Sequence, residues 1–505
     1  MQRSAIFKSA VCTTAILTAP AAFADVTAEQ VWEDWQTQIQ RSSSINVSSE
    51  GETYENGVLT VSGLSYVTNQ DGVSINSDLG DVVFTENADG TVDVTIQENM
   101  TFTITGDADD APMNITADLT LNGAEIIASG DESAITYDAS VDRYLIDMNF
   151  VIKGDQPESF DLRMSLTEVK GTSTSAKDEQ GQSLDYDVNI GALNYVMAIE
   201  PTDGGAVDLA GNVADLSATG STYTPNAAIE GPAEMALQNG LTSAFSATTG
   251  AGTSFIKIDS PHNNLTIQTS SQSSKADLAV DASRVDVSGE IQGHELRVVA
   301  DAMPMEFAMT ADTYGFNMLM PLSRSDDAQD YEMGLNLENI RMGDAIWAMA
   351  DPSNALSHDP ITLQVDLSGQ AKLFFDAIDP DQYEFAMRIN DMESVGELLS
   401  LNLNNLLIAF GGAQLTGTGA FTFDNSDLTT FDGMPRPTGS ATIKGSGINA
   451  LMTDLESSGL PVQDAIMGAR MMMGMFTKAT GDDQVETTVE INDEAQILLN
   501  GQRIR

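Results

Sequence analysis

The sequence predicts a mainly β protein, in which a long, curved antiparallel sheet of hairpins carries a few capping helices. Three observations support this fold class. Turn dipeptides of the hairpin type recur at Asn56-Gly57, Asp89-Gly90 and Asn122-Gly123. The segments between them alternate polar and apolar residues, as in 91–96, which gives a sheet one apolar and one wet face. No helical pattern of 10–15 residues separates the strands, which argues against a βαβ fold.

The predicted organisation has four parts. Residues 1–24 form a signal peptide, 25–220 an N-terminal β-rich half with a leading helix, 221–254 a Gly/Ala/Ser-rich crossover, and 255–505 a C-terminal β-rich half with closing helices. The two halves form either one sheet or two domains, and the second half is a candidate diverged copy of the first. Neither half shows a repeat strict enough for a propeller or solenoid.

The first helix is predicted over residues 31–39. Thr27 and Gln30 have the spacing of a capping box, and the apolar residues that follow cover one helical face. Burial of Trp32 and Trp35 against the sheet is the expected role of that face, with an exposed aromatic anchor as the alternative. Further helices are predicted near residues 233–241, 343–350, 394–407 and 448–478.

The first 24 residues have the order of parts that directs export. Arg3 and Lys8 are followed by a short apolar stretch, and Ala22-Phe23-Ala24 places small residues where signal peptidase cleaves. We therefore predict cleavage after Ala24 and a periplasmic protein, with secretion as the alternative. The single cysteine is Cys12, so the mature chain has no disulfide and its stability must come from packing and sheet hydrogen bonds.

The charge is strongly acidic, with 75 Asp and Glu residues against 22 Lys and Arg residues. This balance argues against nucleic acids and anionic bilayer surfaces as partners, because both bind basic proteins. No later stretch reaches the 18 apolar residues of a membrane span. The alternating acidic residues indicate a solvated sheet face that keeps the protein soluble.

Side chains suited to catalysis or metal binding are few. The three histidines, His262, His294 and His358, lie in unrelated turns, and no nucleophile, phosphate-binding or zinc motif is present. The acidic clusters at 107–110 and 87–90 do not continue into a calcium-binding loop. We therefore predict no cofactor, no metal and no enzymatic activity. A hydrolase with a spatially assembled histidine site is the remaining enzymatic alternative.

Methionine marks the candidate ligand-binding surface. Alternating Met and Phe residues predict a hairpin with one shared apolar face and a turn over 311–315. Ordinary core filling, an adaptable groove for acyl chains and a thioether copper(I) site all remain open for this face. A second methionine cluster lies within 467–475. The candidate residues are Met303, Met305, Phe307, Met309, Phe316, Met318 and Met320.

Several turn and packing motifs in the C-terminal third resemble the bacterial domain of unknown function 2125 family. They include Asp359-Pro360-Ile361-Thr362-Leu363, Gly417-Thr418-Gly419 and the segment 432–439. The opening Val31-Trp32-Glu33-Asp34-Trp35 and the closing Asn500-Gly501-Gln502-Arg503 are similar too. The resemblance implies an exported β-rich protein and supplies no catalytic residues, because the family has no assigned activity. Its hairpin layout resembles the sheets of envelope lipid-handling proteins only at the level of the fold.

The sequence thus predicts a non-enzymatic envelope protein that binds a lipid or another lipophile on its Met/Phe face. The alternative is a structural or interaction protein of the envelope that binds an envelope protein and no small molecule. Whether the Met/Phe face is a closed core or an open groove decides between them.

Overall fold

Strand-forming, alternating sequence dominates the chain, and the computed structural model shows the sheet that this pattern predicts. It describes residues 26–40, 45–70, 73–108, 111–152, 158–200, 205–230, 235–260, 264–301, 305–388 and 395–505. Strands account for 66% of the residues and helices for 12%, which confirms the mainly β fold class. Every strand pairing recorded for these residues is antiparallel.

The chain divides into two compact units, residues 1–269 with 300–302 and residues 270–299 with 303–505. The strands up to residue 271 are β1 Ile45–Ser48, β2 Gly51–Glu55, β3 Val58–Gln70, β4 Val73–Glu86, β5 Val92–Thr95, β6 Asn99–Ala108, β7 Ala111–Asn122, β8 Glu125–Asp131, β9 Ala134–Ile152, β10 Glu158–Lys177, β11 Gly181–Glu200, β12 Ala206–Pro225, β13 Thr242–Thr249, β14 Gly252–Asp259 and β15 Leu265–Ser271. The remaining strands are β16 Ser273–Val280, β17 Arg284–Ala300, β18 Phe307–Pro321, β19 Gln329–Met342, β20 Ile361–Leu373, β21 Gly396–Phe410, β22 Ala413–Asp424, β23 Arg436–Ser446, β24 Lys478–Gly481, β25 Gln484–Ile491, β26 Ile497–Leu499 and β27 Gln502–Arg503.

Helices are short and lie between strands or at their ends. Those of the described residues are α1 Ala28–Gln40, α2 Asn226–Glu230, α3 Asp344–Ala350, α4 Pro380–Arg388, α5 Ile448–Ser457 and α6 Gln463–Phe476. The helices predicted near residues 31–39, 343–350 and 448–478 are therefore confirmed. Two predictions were wrong, because residues 396–407 belong to β21 and the described residues 235–241 form a turn.

The first unit is a meander in which long strands alternate with pairs of shorter ones. Strand β3 pairs with β1 and β2 along one edge and with β4 along the other. Strands β9, β10, β11 and β12 then pair in sequence order, and β12 pairs with β13 and β14 along its far edge. The Asn56-Gly57 hairpin is confirmed, with φ of 52° and 79° at its two turn residues, as the tight turn requires.

The enclosed core of the first unit lies beneath α1. Thr27 and Gln30 form the predicted capping box, because each backbone N–H donates to the other side chain, at 3.0 and 3.3 Å. Trp32 is buried and its ring centroid lies 5.9 Å from that of Phe84, while Trp35 meets the same phenyl ring edge-on. The expected burial of both indoles against the sheet is thus what the structure shows, with Trp35 partly buried.

The second unit is a simpler meander. Strands β16 to β23 pair in sequence order, and β23 then pairs with β25. Helix α3 follows β19, and α5 and α6 follow β23, so all three lie at one end of this sheet. We call it the helical end.

Candidate functional site

The apolar residues of the second unit form continuous rows across its strands. Residues directly opposite in an antiparallel sheet share a face, and the register therefore aligns one such row across six strands. The next row is apolar as well and lies two residues away along β16 to β20, and three residues away on β21, where the register shifts. The central row consists of Ala276, Gly289, Phe316, Leu335, Val365 and Leu406. The next row consists of Leu278, Val287, Met318, Met333, Leu367 and Leu403.

This surface, which we call the apolar face, is open. Eight of its large side chains keep 37–53% of their surface accessible. In the core beneath α1, by contrast, Phe84 is fully buried. A contiguous exposed apolar surface is typical of an interaction site. The exposed members are Leu278, Ile291, Phe316, Met320, Met333, Leu335, Ile408 and Ile443.

The predicted Met/Phe hairpin is wrong. Phe307, Met309, Phe316, Met318 and Met320 all lie on the single strand β18. Met305 precedes that strand and is exposed, and Met303 lies outside the described residues. The segment predicted as a turn pairs with strands on both sides, since Thr313 is opposite Gln292 of β17 and Glu338 of β19. Pairing on two edges holds the segment extended.

The two halves of β18 nevertheless place their apolar residues on one side. On the neighbouring strands β17 and β19, Gly293 and Asn339 adopt left-handed φ of 60° and 51°. Before each of these residues the apolar residues of the strand have odd sequence numbers, and after it they have even ones. The Tyr314 hydroxyl lies 4.0 Å from the Met309 sulfur, although the two positions are five apart in the sequence. Strict alternation would put these two side chains on opposite faces. The alternation is therefore interrupted between them, and both side chains lie on the apolar face.

The opposite face of the same strands is polar. Two of its rows line a hollow of about 490 Å³ that crosses β16 to β21. Lys275 pairs with Asp277 at 2.8 Å, and Gln364 donates to Asn336 at 3.1 Å, so many of these groups bind one another. The polar rows consist of Lys275, Glu290, Gly315, Asn336 and Gln364, and of Asp277, Ser288, Asn317, Gly334, Asp366 and Asn405.

The helical end contains a buried carboxylate that sequence reasoning did not single out. Burial alone would raise the pKa of Asp351, but hydrogen bonds from the backbone of Leu356 and Ala355 and from two side chains hold it below its ordinary value. His358 lies 3.4 Å from this carboxylate and stacks on Trp347, with ring centroids 4.1 Å apart. His358 is therefore half-buried and packs against Trp347 at the helical end of the sheet.

Of the other two histidines, the structure describes His294 alone. His294 packs edge-on against Tyr314 at 5.4 Å, and His262 lies outside the described residues. Among the residues that the structure describes, no group of three or more His, Cys, Asp or Glu side chains is arranged to hold a metal ion.

A second buried carboxylate, Asp34, fixes α1 to the first unit. Lys177 approaches its Oδ1 atom at 2.8 Å, and the hydroxyls of Tyr137 and Ser175 donate to it at 2.8 and 3.1 Å. Burial, together with the charge and hydrogen bond of Asp34, raises the pKa of Tyr137, so this hydroxyl remains a donor. Gln182 extends the network by donating to Ser175. The sequence feature that could have indicated a buried Asp34 is its position between Trp32 and Trp35 on the apolar face of the helix.

Fold and site together define a mainly β protein with an open apolar sheet face. Residues 251–493 match the domain of unknown function 2125 family, described as an uncharacterized protein conserved in bacteria. The match includes the motifs at 359–363, 417–419 and 432–439 but neither the 31–35 opening nor the 500–503 ending. No curated protein matches the chain. Within the described part of the chain, helices are too short or too polar to cross a membrane.

Proposed function

We propose that this chain is an exported, non-catalytic protein that binds a lipophilic ligand on the apolar face of residues 270–505. The observation that carries the proposal is the exposure of the eight large side chains of that face. Burial of apolar surface releases about 25 cal/mol per Å², so an acyl chain laid across the strands would gain affinity without a directional contact.

Composition of the face favours an irregular apolar ligand. Methionine and phenylalanine lie beside leucine and valine in adjacent rows, and methionine side chains adapt to varied shapes. The chemistry requires no cofactor, because binding by apolar contact uses neither proton transfer nor a metal. The acidic residues on the other face keep the loaded and unloaded protein in solution.

A matched pair of substitutions tests the ligand site. Phe316→Asp adds a carboxylate to the centre of the apolar face, and Asn317→Asp adds the same charge one residue away on the polar face. We expect Phe316→Asp to weaken binding of a fluorescent fatty acid at least about tenfold, because a buried charge opposes apolar contact. Asn317→Asp is expected to bind within about twofold of the wild type. Equal affinities for the two variants would contradict the proposal.

Native mass spectrometry of protein purified from its own host supplies the second measurement. We expect a bound lipid adduct on the wild type that is reduced in Phe316→Asp. If the wild type carries no lipophile and binds no fluorescent fatty acid, the apolar face is instead a docking surface for an envelope protein. Pull-down of a stoichiometric protein that Phe316→Asp loses would then establish the interaction alternative.

Export is a separate part of the proposal. Intact mass of the purified protein is expected to give a chain that begins at Asp25, because Ala22 and Ala24 supply the cleavage signal. Replacing Ala24 by a bulky residue, as in Ala24→Phe, should leave the leader attached. A cytoplasmic chain with an intact leader in the wild type would refute export while leaving ligand binding open to test.

A further inference from the structure

We propose that α6 docks on the surface of a zwitterionic phospholipid bilayer and inserts its exposed methionines into the boundary of the acyl chains. This inference concerns a different surface from the ligand site and does not depend on it. The surface consists of Met467, Met471, Met472 and Met475, and we call it the methionine stripe.

The methionine stripe is largely exposed to solvent. Its four side chains keep 57–69% of their surface accessible. Met467, Met471 and Met475 are spaced by four residues, so they lie on one side of the helix. Ile466 is the buried residue of α6, and Met473 is half-buried. The helix therefore packs through a narrow strip and presents most of its apolar circumference to solvent.

Charge around the stripe fits a lipid surface better than a protein partner. The charged residues of α6 are Asp464 and Arg470, and Arg470 is paired with Glu456 of α5 at 2.7 Å. No acid occurs between Asp464 and Asp482 in a chain whose net charge is −53. The four side chains of the stripe are themselves uncharged, so they offer none of the directional polar contacts that fix a protein partner. A second copy of this chain would be repelled by its own net charge.

The length of α6 sets how it would bind. Its 14 residues span about 21 Å, which is shorter than the roughly 30 Å hydrocarbon core. Such a helix lies in the plane of the membrane interface. Flexible methionine side chains suit a fluid hydrocarbon, because they adapt to changing contacts.

Helix α5, which directly precedes α6, lies beside the end of the apolar face. Helix α5 begins at Ile448, whose Cδ1 atom would lie 2.4 Å from a Cβ atom added to Gly445. Val485 and Leu415 border the same position, and all three strand residues belong to one row of the apolar face. Docking through α6 would therefore bring this end of the face to the bilayer.

Vesicle flotation with phosphatidylcholine tests the proposal. We expect the full-length mature protein to float with the vesicles and Met471→Glu to need at least about tenfold more lipid for half-maximal binding. Met434→Glu is the matched control, because Met434 is 63% exposed against 62% for Met471 and lies in a turn between β22 and β23, away from the helical end. This control should float like the wild type. Met475→Glu repeats the test at a second position of the stripe.

Three results would overturn membrane docking. The wild type could fail to float, Met471→Glu and the control Met434→Glu could lose binding equally, or sedimentation could show a dimer that Met471→Glu dissociates. Replacing part of the phosphatidylcholine by phosphatidylglycerol is expected to weaken binding, because the chain is acidic. Met471→Glu should still bind fluorescent fatty acid and Phe316→Asp should still float, so failure of this proposal is distinguishable from failure of the proposed ligand site.

Discussion

Replacing Phe84 by alanine is expected to lower the free energy of unfolding by about 3–5 kcal/mol. Phe84 is fully buried, and both Trp32 and Trp35 pack against its ring. Removing the ring therefore leaves a cavity beneath α1, because the close-packed helix and sheet cannot move together enough to fill it. Urea unfolding followed by tryptophan fluorescence measures the loss, since two of the three tryptophans lie at this contact.

Phe316→Ala is the matched control for this prediction. The same atoms are removed, but Phe316 is 51% exposed on the apolar face, so its loss should cost less than about 1 kcal/mol. A similar cost at both positions would mean that the apolar face is covered in solution. A cost below about 1 kcal/mol at Phe84 would mean that α1 does not close a core.

Replacing Asp34 by alanine is expected to cost about 3–5 kcal/mol. The carboxylate is buried and is the shared acceptor for Lys177, Tyr137 and Ser175. Its removal leaves buried donors without their acceptor, which is more costly than loss of the ion pair alone. Hydrogen exchange should show α1 detaching first, because Asp34 is its polar link to β9 and β10.

Asp147→Ala supplies the comparison at an exposed ion pair of the same unit. Asp147 lies 2.6 Å from Arg163, whose side chain is 61% exposed. Solvent screens such a pair, so its loss should cost no more than about 1 kcal/mol. Equal costs for Asp34→Ala and Asp147→Ala would contradict the structural role assigned to the buried network.

Two of the three errors of secondary structure, those at 394–407 and 311–315, have the same physical cause. The segment near 394–407 is rich in leucine, which favours helices, yet residues 396–407 pair with β20 and β22 on both edges as part of β21. The segment 311–315 contains turn-forming residues, yet β17 and β19 hold it extended. Neighbouring strands that are distant in sequence outweigh local propensity in both cases.

The predictions that proved correct depend on interactions between residues close together in the sequence. Alternation, the Asn56-Gly57 turn and the Thr27–Gln30 capping box each depend on residues a few positions apart, so the mainly β class and α1 could be read directly. The resemblance to an uncharacterized bacterial family also rested on local turn and packing motifs, and it is confirmed for residues 251–493.

Only the tertiary structure decided which apolar residues are covered. Phe84 and Phe316 occur in similar alternating strands, but α1 lies over the first and the described residues leave the second open. Tyr137 and Ser175, which donate to Asp34, lie 103 and 141 positions away in the sequence, and no local pattern encodes these two contacts. Composition and spacing fix which side of a strand is apolar, whereas burial depends on what the rest of the chain places above it.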